Sequence, residues 1–515
     1  MGGAAPLVCK SVPPSNNPTA SYVLYCMNQL KAGAVLNYAL ITLNIAVGLL
    51  YTPYMLQTMG QSEYGLYSLV ASVIAYLTIL DLGLGSAVVR YTAKFRSEGR
   101  SDEQDTLLGM FLVLYLCVGV VALLSGIGLF VYFEHWFGHS MTPDEVHRAR
   151  VMLLFLVFNV AFTFPMSIFG SILTAYERFV FPRVVQILRV LLNTGVMIVL
   201  LAVGFRAVAL VVVQTFFNVL TLMSHYLYCR YKLGVRIHFR GFRWESLREV
   251  SVYSFWVFLS VIMDRIYWNT GQFVLAIYDG TREVAVFSVA IQLSLLYMTF
   301  STAISGVFLP RVTALVTDRD SEADISRLFL RMGRIQFMVM ALILSGFVVF
   351  GQSFVHLWAG PEYDGAYPIA LLFFVSLTVP MIQNLGLTIL QARGQMKFRS
   401  LTYLVIALVS LVLQFVWARR YGGMGVAIAI SGALLVGQGV VMNIYYHRCQ
   451  KLDMRVFWRE IGRMSLVPAI VALGASVALH GFILDTWAKL VMAIGIYLLV
   501  YVPLFYRFSM KNNLL

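Results

Sequence analysis

Residues 254–277 read SFWVFLSVIMDRIYWNTGQFVLAI. The run is apolar over the length that crosses a bilayer as a helix, about 20 residues. Yet Asp264 and Arg265 stand near its centre. A charge at mid-bilayer costs at least about 2.5 kcal/mol, so such side chains face a wet cavity or a partner. Arg265, Asn269 and Gln272 follow at i, i+4 and i+7, the spacing of one helix face, with Asp264 at its border. Neighbours on a helix diverge by about 100°, so Asp264 and Arg265 do not simply neutralise each other.

Outward from that stretch, the pattern repeats along the whole chain. Of 515 residues, 60% are hydrophobic and 12% charged, against roughly a quarter charged in soluble proteins. The reading is an all-α polytopic membrane protein; strand alternation is missing, which argues against an outer-membrane barrel. About fourteen spans are expected, near 34–54, 66–89, 107–132, 151–175, 181–203, 207–228, 253–278, 284–309, 335–356, 368–391, 400–418, 424–446, 464–484 and 488–506. Segments on the N-terminal side of the membrane hold 29 Lys and Arg and those on the other side 7, counting Arg183 and Lys489 at span ends with the adjoining segments, and Arg189 and Arg265 lie inside spans. Basic residues collect in short cytoplasmic loops, so both termini are expected in the cytoplasm. The same asymmetry accounts for the net charge of +14. Stretches such as CRYKLGVRIHFRGFRW (229–244) read as membrane-flanking anchors near anionic lipid, and no nucleic-acid partner is expected. Pro6, Pro13, Pro14 and Pro18 mark a loose tail with no signal-peptide h-region. The five cysteines form no CxxC pair, so neither a disulfide framework nor a zinc site is indicated.

The chain also resembles itself at an offset near 220. GQSEYGLYSLVA (60–71) aligns with GTREVAVFSVAI (280–291), matching Gly60, Glu63 and Ser68 to Gly280, Glu283 and Ser288. PMSIFG (165–170) answers PMIQNLG (380–386), GFRAVAL (204–210) answers GGMGVAI (422–428), and KLGVRIHF (232–239) answers KLDMRVFW (451–458). Four matches in one order make an internal repeat of six spans. An even number keeps both copies in one orientation, so two lobes related by an axis along the membrane normal are expected. The expected organisation is a cytoplasmic tail 1–33, an N-lobe 34–228, a basic linker 229–252, a C-lobe 253–446, a cytoplasmic loop 447–463, and two extra spans with a short cytoplasmic tail over 464–515.

Other spans carry polar stripes. The first has Asn37, Asn44 and Tyr51; the fifth has Gln186, Arg189 and Asn193; the sixth has Gln214, Asn218, Thr221 and His225; the eighth has Ser288 and Gln292. Asn44 corresponds to Asp264 through the repeat. Several polar faces in one bundle suggest a hydrated cavity between lobes. Amides and hydroxyls also join spans with no transport role, a reading that weighs least on the full charges of Arg265 and Asp264. Arg189, nearer the inner face, has the option of snorkelling. Asp81 and Arg90, in LDLGLGSAVVRY, sit at the inner end of the second span, as gating or coupling candidates or as a structural turn.

No GxxxxGK[ST], HExxH or GxSxG occurs, so no P-loop, zincin or serine-hydrolase chemistry is indicated and no cofactor is expected. Asp318-Arg319-Asp320 fits a DxD pattern but lies in a charged loop without a nucleotide-sugar domain. No extramembrane loop is long enough for a catalytic domain, which counts against an enzyme of polysaccharide assembly.

The segment YTPYMLQTMGQSEYGLYSLVASVIAYLTILDLGLGSAVVRYTAKF (51–95) resembles the start of the polysaccharide and O-antigen flippases of the multidrug/oligosaccharidyl-lipid/polysaccharide exporter superfamily. The matching features are the Gly60-x-x-x-Tyr64-Gly65 turn and the Asp81-Leu-Gly83-Leu end; LTAYERFVFPRV (173–184) and LQARGQMKFRSL (390–401) resemble the family's two inner turns. The resemblance implies two six-helix lobes around a cavity in the bacterial inner membrane. It implies alternating-access translocation of a lipid-linked oligosaccharide of the undecaprenyl-pyrophosphate type, for O-antigen or exopolysaccharide synthesis. It suggests glycan polymerases or glycosyltransferases of that pathway as partners, besides membrane lipids. Under it, Arg265 is the best match for a cationic cavity residue meeting pyrophosphate. Asp264, Asn269, Gln272, Arg189, Asn44, Asn37, Asn218 and Gln292 are the further cavity candidates. The extra pair of spans departs from the commonest pattern and suits a lipid II flippase; a cation-coupled small-molecule antiporter of the superfamily is the other alternative.

Overall fold

The computed structural model describes residues 19–510 apart from 82, 240–258, 260, 318–321, 394 and 483. Among them every regular element is helical: α1 Thr19–Met59, α2 Gln61–Leu77, α3 Leu84–Ser97, α4 Ser101–Phe137, α5 Pro143–Ala175, α6 Val180–Ala202, α7 Ala207–Tyr231, α8 Thr270–Tyr278, α9 Gly280–Thr317, α10 Glu322–Ala359, α11 Ala366–Ile382, α12 Asn384–Ala392, α13 Met396–Leu434, α14 Met442–Arg448, α15 Met454–Ala478 and α16 Trp487–Phe505. A helix is what an apolar run becomes in lipid, because it pairs its backbone groups within the segment. The outer surfaces fit that setting. Leu116, Val120, Leu124, Ile127 and Val131 of α4 are exposed, as are Leu401, Val405, Leu408, Val412 and Val416 of α13. Stripes of this size belong in lipid rather than in water.

Eleven described helices are long and apolar enough to cross a membrane, twelve when α11 and α12, bent by 43°, count as one broken span. The expectation of about fourteen differs in identifiable places. Residues 396–448 count once although Gly422, at φ 53°, puts a kink where two spans were expected. The expected span 253–278 falls partly outside the described residues.

The chain divides into two compact units, Met1–Arg265 and Ile266–Leu515. In the first, α2 gives way to a 3-10 turn, Thr78–Asp81, and α3 starts after Gly83 at φ 72°. The start of α5 is fixed by a capping box in which Thr142 accepts from Glu145 N and Glu145 accepts from Thr142 N. Glu63, only 4% exposed, is ion-paired with Arg148, and its Oε2 accepts from the Ala207 amide at 3.4 Å. One carboxylate thus ties together the starts of α2, α5 and α7. Arg148 also reaches Asp144 at 2.6 Å.

In the second unit Glu283 accepts from the Gly423 amide at 3.0 Å, just after the kink. Asp279 beside it is held above the usual carboxylate range, by partial desolvation first and by Glu283 second. A π-helical segment, Leu435–Val441, and the α11–α12 break at Gln383 both bond to one amide. Asn443 Nδ2 donates to the Gln438 and Gly439 carbonyls at 2.9 Å, and Gln383 Nε2 donates to Asn443 Oδ1 at 3.1 Å. Trp458 Nε1 of α15 donates to the same Oδ1 at 2.6 Å.

α15 is further held to α10 by Arg334–Glu460, 2.5 Å apart with both side chains largely shielded, and α16 by Tyr497 donating to Ser345 at 2.7 Å. Removing one member of a shielded pair strands the other. Arg334→Ala is therefore expected to destabilise the second unit by about 1–2 kcal/mol. The check is heat-induced loss of monodisperse protein in detergent; the exchange Arg334→Glu with Glu460→Arg restores most of it.

The seventh-span residues correct one expectation. Residues 261–268 are helical, Asn269 leaves the helix at φ −121°, and α8 starts at Thr270. Arg265, Asn269 and Gln272 therefore do not share one uninterrupted helical face. Gly271 packs so closely on Phe287 that a Cβ there would lie 2.6 Å from Cε1 of that ring. The close approach and the Asn-Thr-Gly sequence set the interruption here.

Candidate functional site

Arg265 Nη2 donates to Thr78 Oγ1 at 3.0 Å. Both residues belong to the first unit and both are half-buried. Thr78 opens the 3-10 turn that interrupts the second span, and its hydroxyl lies 2.7 Å from the Ala75 carbonyl, to which it donates. Three residues on, the Asp81 carboxyl faces Tyr115 of α4 and the Gly83 amide. Irregular backbone at membrane depth is tolerated where it is buried in protein or lines a wet cavity. An interrupted span presenting a hydroxyl to a guanidinium and a carboxyl next to it is such a place. Its chemistry suits binding of an anion by Arg265, since a guanidinium fork matches phosphate oxygens in two-point contact.

The other candidates distribute as follows. Asn218 of α7 donates to Asn159 Oδ1 at 2.7 Å and Thr163 Oγ1 at 2.8 Å, both on α5. It joins two helices. Gln272 Nε2 donates to Ser288 Oγ at 3.0 Å, a buried bond between α8 and α9. Asn44 Nδ2 donates to the Leu40 carbonyl one turn back at 2.9 Å, and Asn37 is half-buried on the same helix. Arg189 of α6 lies close to His225 of α7, whose ring sits 6.2 Å from that of Phe181. Asp264 and Arg90 are exposed, and Asn269 and Gln292 are half-buried. Within the first unit, the structure thus places Arg265 at the α2 break that carries Asp81. Arg189, Asn218 and Asn44 lie in separate clusters.

Two contributors were not on the expected list. Thr78 bears the Arg265 contact, yet a threonine in an apolar run carries no signal of its own. His225 was visible in the α7 stripe, and only the packing of α6 against α7 sets it beside Arg189.

Residues 30–316 match the family profile described as "Polysaccharide biosynthesis protein". The uncharacterized membrane protein EpsK of Bacillus subtilis is 20% identical over 477 residues, 88% of this chain and 90% of that protein. A protein described as an O-antigen transporter, from Shigella flexneri, is 20% identical over 407 residues, 77% of this chain and 93% of its own. Among solved structures, the lipid II flippase MurJ in an inward closed conformation is similar at a TM-score of 0.68 and 18% identity, over 92% of this chain and 98% of that one. An inward-facing MATE family multidrug resistance transporter of the MOP superfamily is similar at 0.56 and 17%, over 79% and 99%. These two likenesses show a shared fold. Since the family profile covers more than half of the sequence, the chain belongs to the polysaccharide biosynthesis protein family.

Proposed function

We propose that the protein is a flippase. It moves a lipid-linked oligosaccharide of the undecaprenyl-pyrophosphate type across the bacterial inner membrane by alternating access, for O-antigen or exopolysaccharide assembly. The observation that carries the reading is Arg265, a guanidinium within the spans resting at an interrupted helix, in a chain of the polysaccharide biosynthesis family. Arg265 receives the pyrophosphate; Asp264, Asn269, Gln272, Arg189, Asn37, Asn44, Asn218 and Gln292 shape or support the path. Asp81 and Arg90 couple the second span to it. Deleting the gene should stop glycan reaching the cell surface while lipid-linked glycan builds up in the inner leaflet. Unchanged surface glycan would rule the reading out.

The fold likeness to a lipid II flippase over 92% of the chain favours one second reading, in which the cargo is a peptidoglycan precursor. Rescue of a strain depleted of its own lipid II flippase, with no effect on surface polysaccharide, would select it.

The proposed topology has both termini and the 229–252 linker in the cytoplasm. Reporter fusions at Asn17 and next to Asp279 are expected on opposite sides of the membrane; the same side for both breaks the arrangement.

A further inference from the structure

The break in the second span does more than interrupt a helix, and its use rests on the reading of Arg265 above. The Thr78 hydroxyl has one hydrogen, spent on the Ala75 carbonyl at 2.7 Å. Its lone pairs are left to accept, and Arg265 Nη2 donates into them at 3.0 Å. The donor and acceptor roles are therefore fixed. A 3-10 turn holds Thr78 with φ −68° and ψ −14°, so the oxygen is presented by backbone geometry rather than by a freely rotating surface side chain. This bond is made to a neutral oxygen. It orients the guanidinium without cancelling its charge, and a phosphate oxygen, as a charged acceptor, makes a bond about twice as strong.

We infer that Thr78 is a positioning residue for Arg265. Its hydroxyl keeps its bond to Nη2 and so aims the remaining guanidinium N–H groups at the pyrophosphate of the lipid-linked substrate. Two properties follow from the chemistry. An acceptor of the same kind must preserve function, because only the hydroxyl matters. An acidic acceptor at 78 must damage it, because a carboxylate would compete with the phosphate for the same fork.

The experiment uses the full-length chain in detergent or nanodiscs with undecaprenyl pyrophosphate, carrying no sugar, as the probe. Thr78→Ser is expected to bind within about twofold of the parent. Thr78→Val should bind about three- to tenfold more weakly, and Thr78→Asp more than tenfold more weakly. Heat stability of each variant is measured alongside, so that weakened packing is separated from lost aim. The deciding comparison is the Arg265→Gln background, where Thr78→Val should not reduce affinity further. A Thr78→Val loss that persists undiminished in that background overturns the positioning role, as does a Thr78→Asp variant that binds normally. The failure of the underlying reading looks different: Arg265→Gln alone would then bind the probe as tightly as the parent.

Discussion

Arg265→Ala is expected to abolish or sharply reduce glycan export while the amount of protein in the membrane stays close to that of the parent. Two charge-assisted contacts to phosphate oxygens, each worth about 1.5–3 kcal/mol, amount to a loss of at least a hundredfold in substrate affinity when both go. Low dielectric within the spans strengthens such contacts relative to bulk water. Arg265→Lys is expected to rescue partly, because charge survives and the planar fork does not. Asn269→Ala should do less, since it removes a neutral contact worth about 1 kcal/mol. A purely structural arginine predicts another order of symptoms: abundance falls first and export per molecule stays level. Surface glycan normalised to flippase in the membrane separates the two. Full normalised activity in Arg265→Ala ends the substrate-binding assignment.

The second large effect is on stability. Arg148→Met removes the cation paired with Glu63, whose side chain is 4% exposed. Stranding a buried charge costs about 3–5 kcal/mol. The Arg148 side chain is 30% exposed, so screening lowers the expectation to about 2–3 kcal/mol. Glu63→Gln should cost less, because its amide oxygen still accepts from the Ala207 amide. The double variant should recover most of the Arg148→Met loss. Simple addition of the two losses in a thermal-stability series would show that the pair is not coupled.

The membrane class was legible because it follows from apolar runs, which local composition reports directly. The interruptions were less so. Thr78–Asp81 and Leu435–Val441 are 3-10 and π segments, and no hydropathy window distinguishes them from α-helix. Asn269 was read as a helical neighbour of Arg265. The signal against that was present in Asn269-Thr270-Gly271, and the close packing of Gly271 on Phe287 is a tertiary fact. Polar positions could be listed from the sequence, but their partners were not readable. Asn218 faces α5 and Gln272 faces Ser288, so each joins helices within its own unit. The Glu63 and Glu283 correspondence was visible in sequence. That each accepts from a backbone amide near the start of a later helical stretch, Ala207 and Gly423, needed coordinates.

The bond between Thr78 and Arg265 bridges 187 positions of sequence, and it bears on how the protein is made. A ribosome delivers the second span long before the arginine emerges, so the seat at Thr78 waits empty through the insertion of every helix from α3 to α7. The Glu63 end waits in the same way, for residues 85 and 144 positions downstream. The first compact unit is closed by Arg265, which lies beyond the basic connector. A gene cut at that connector would release a piece that carries Thr78 and lacks its Arg265 partner.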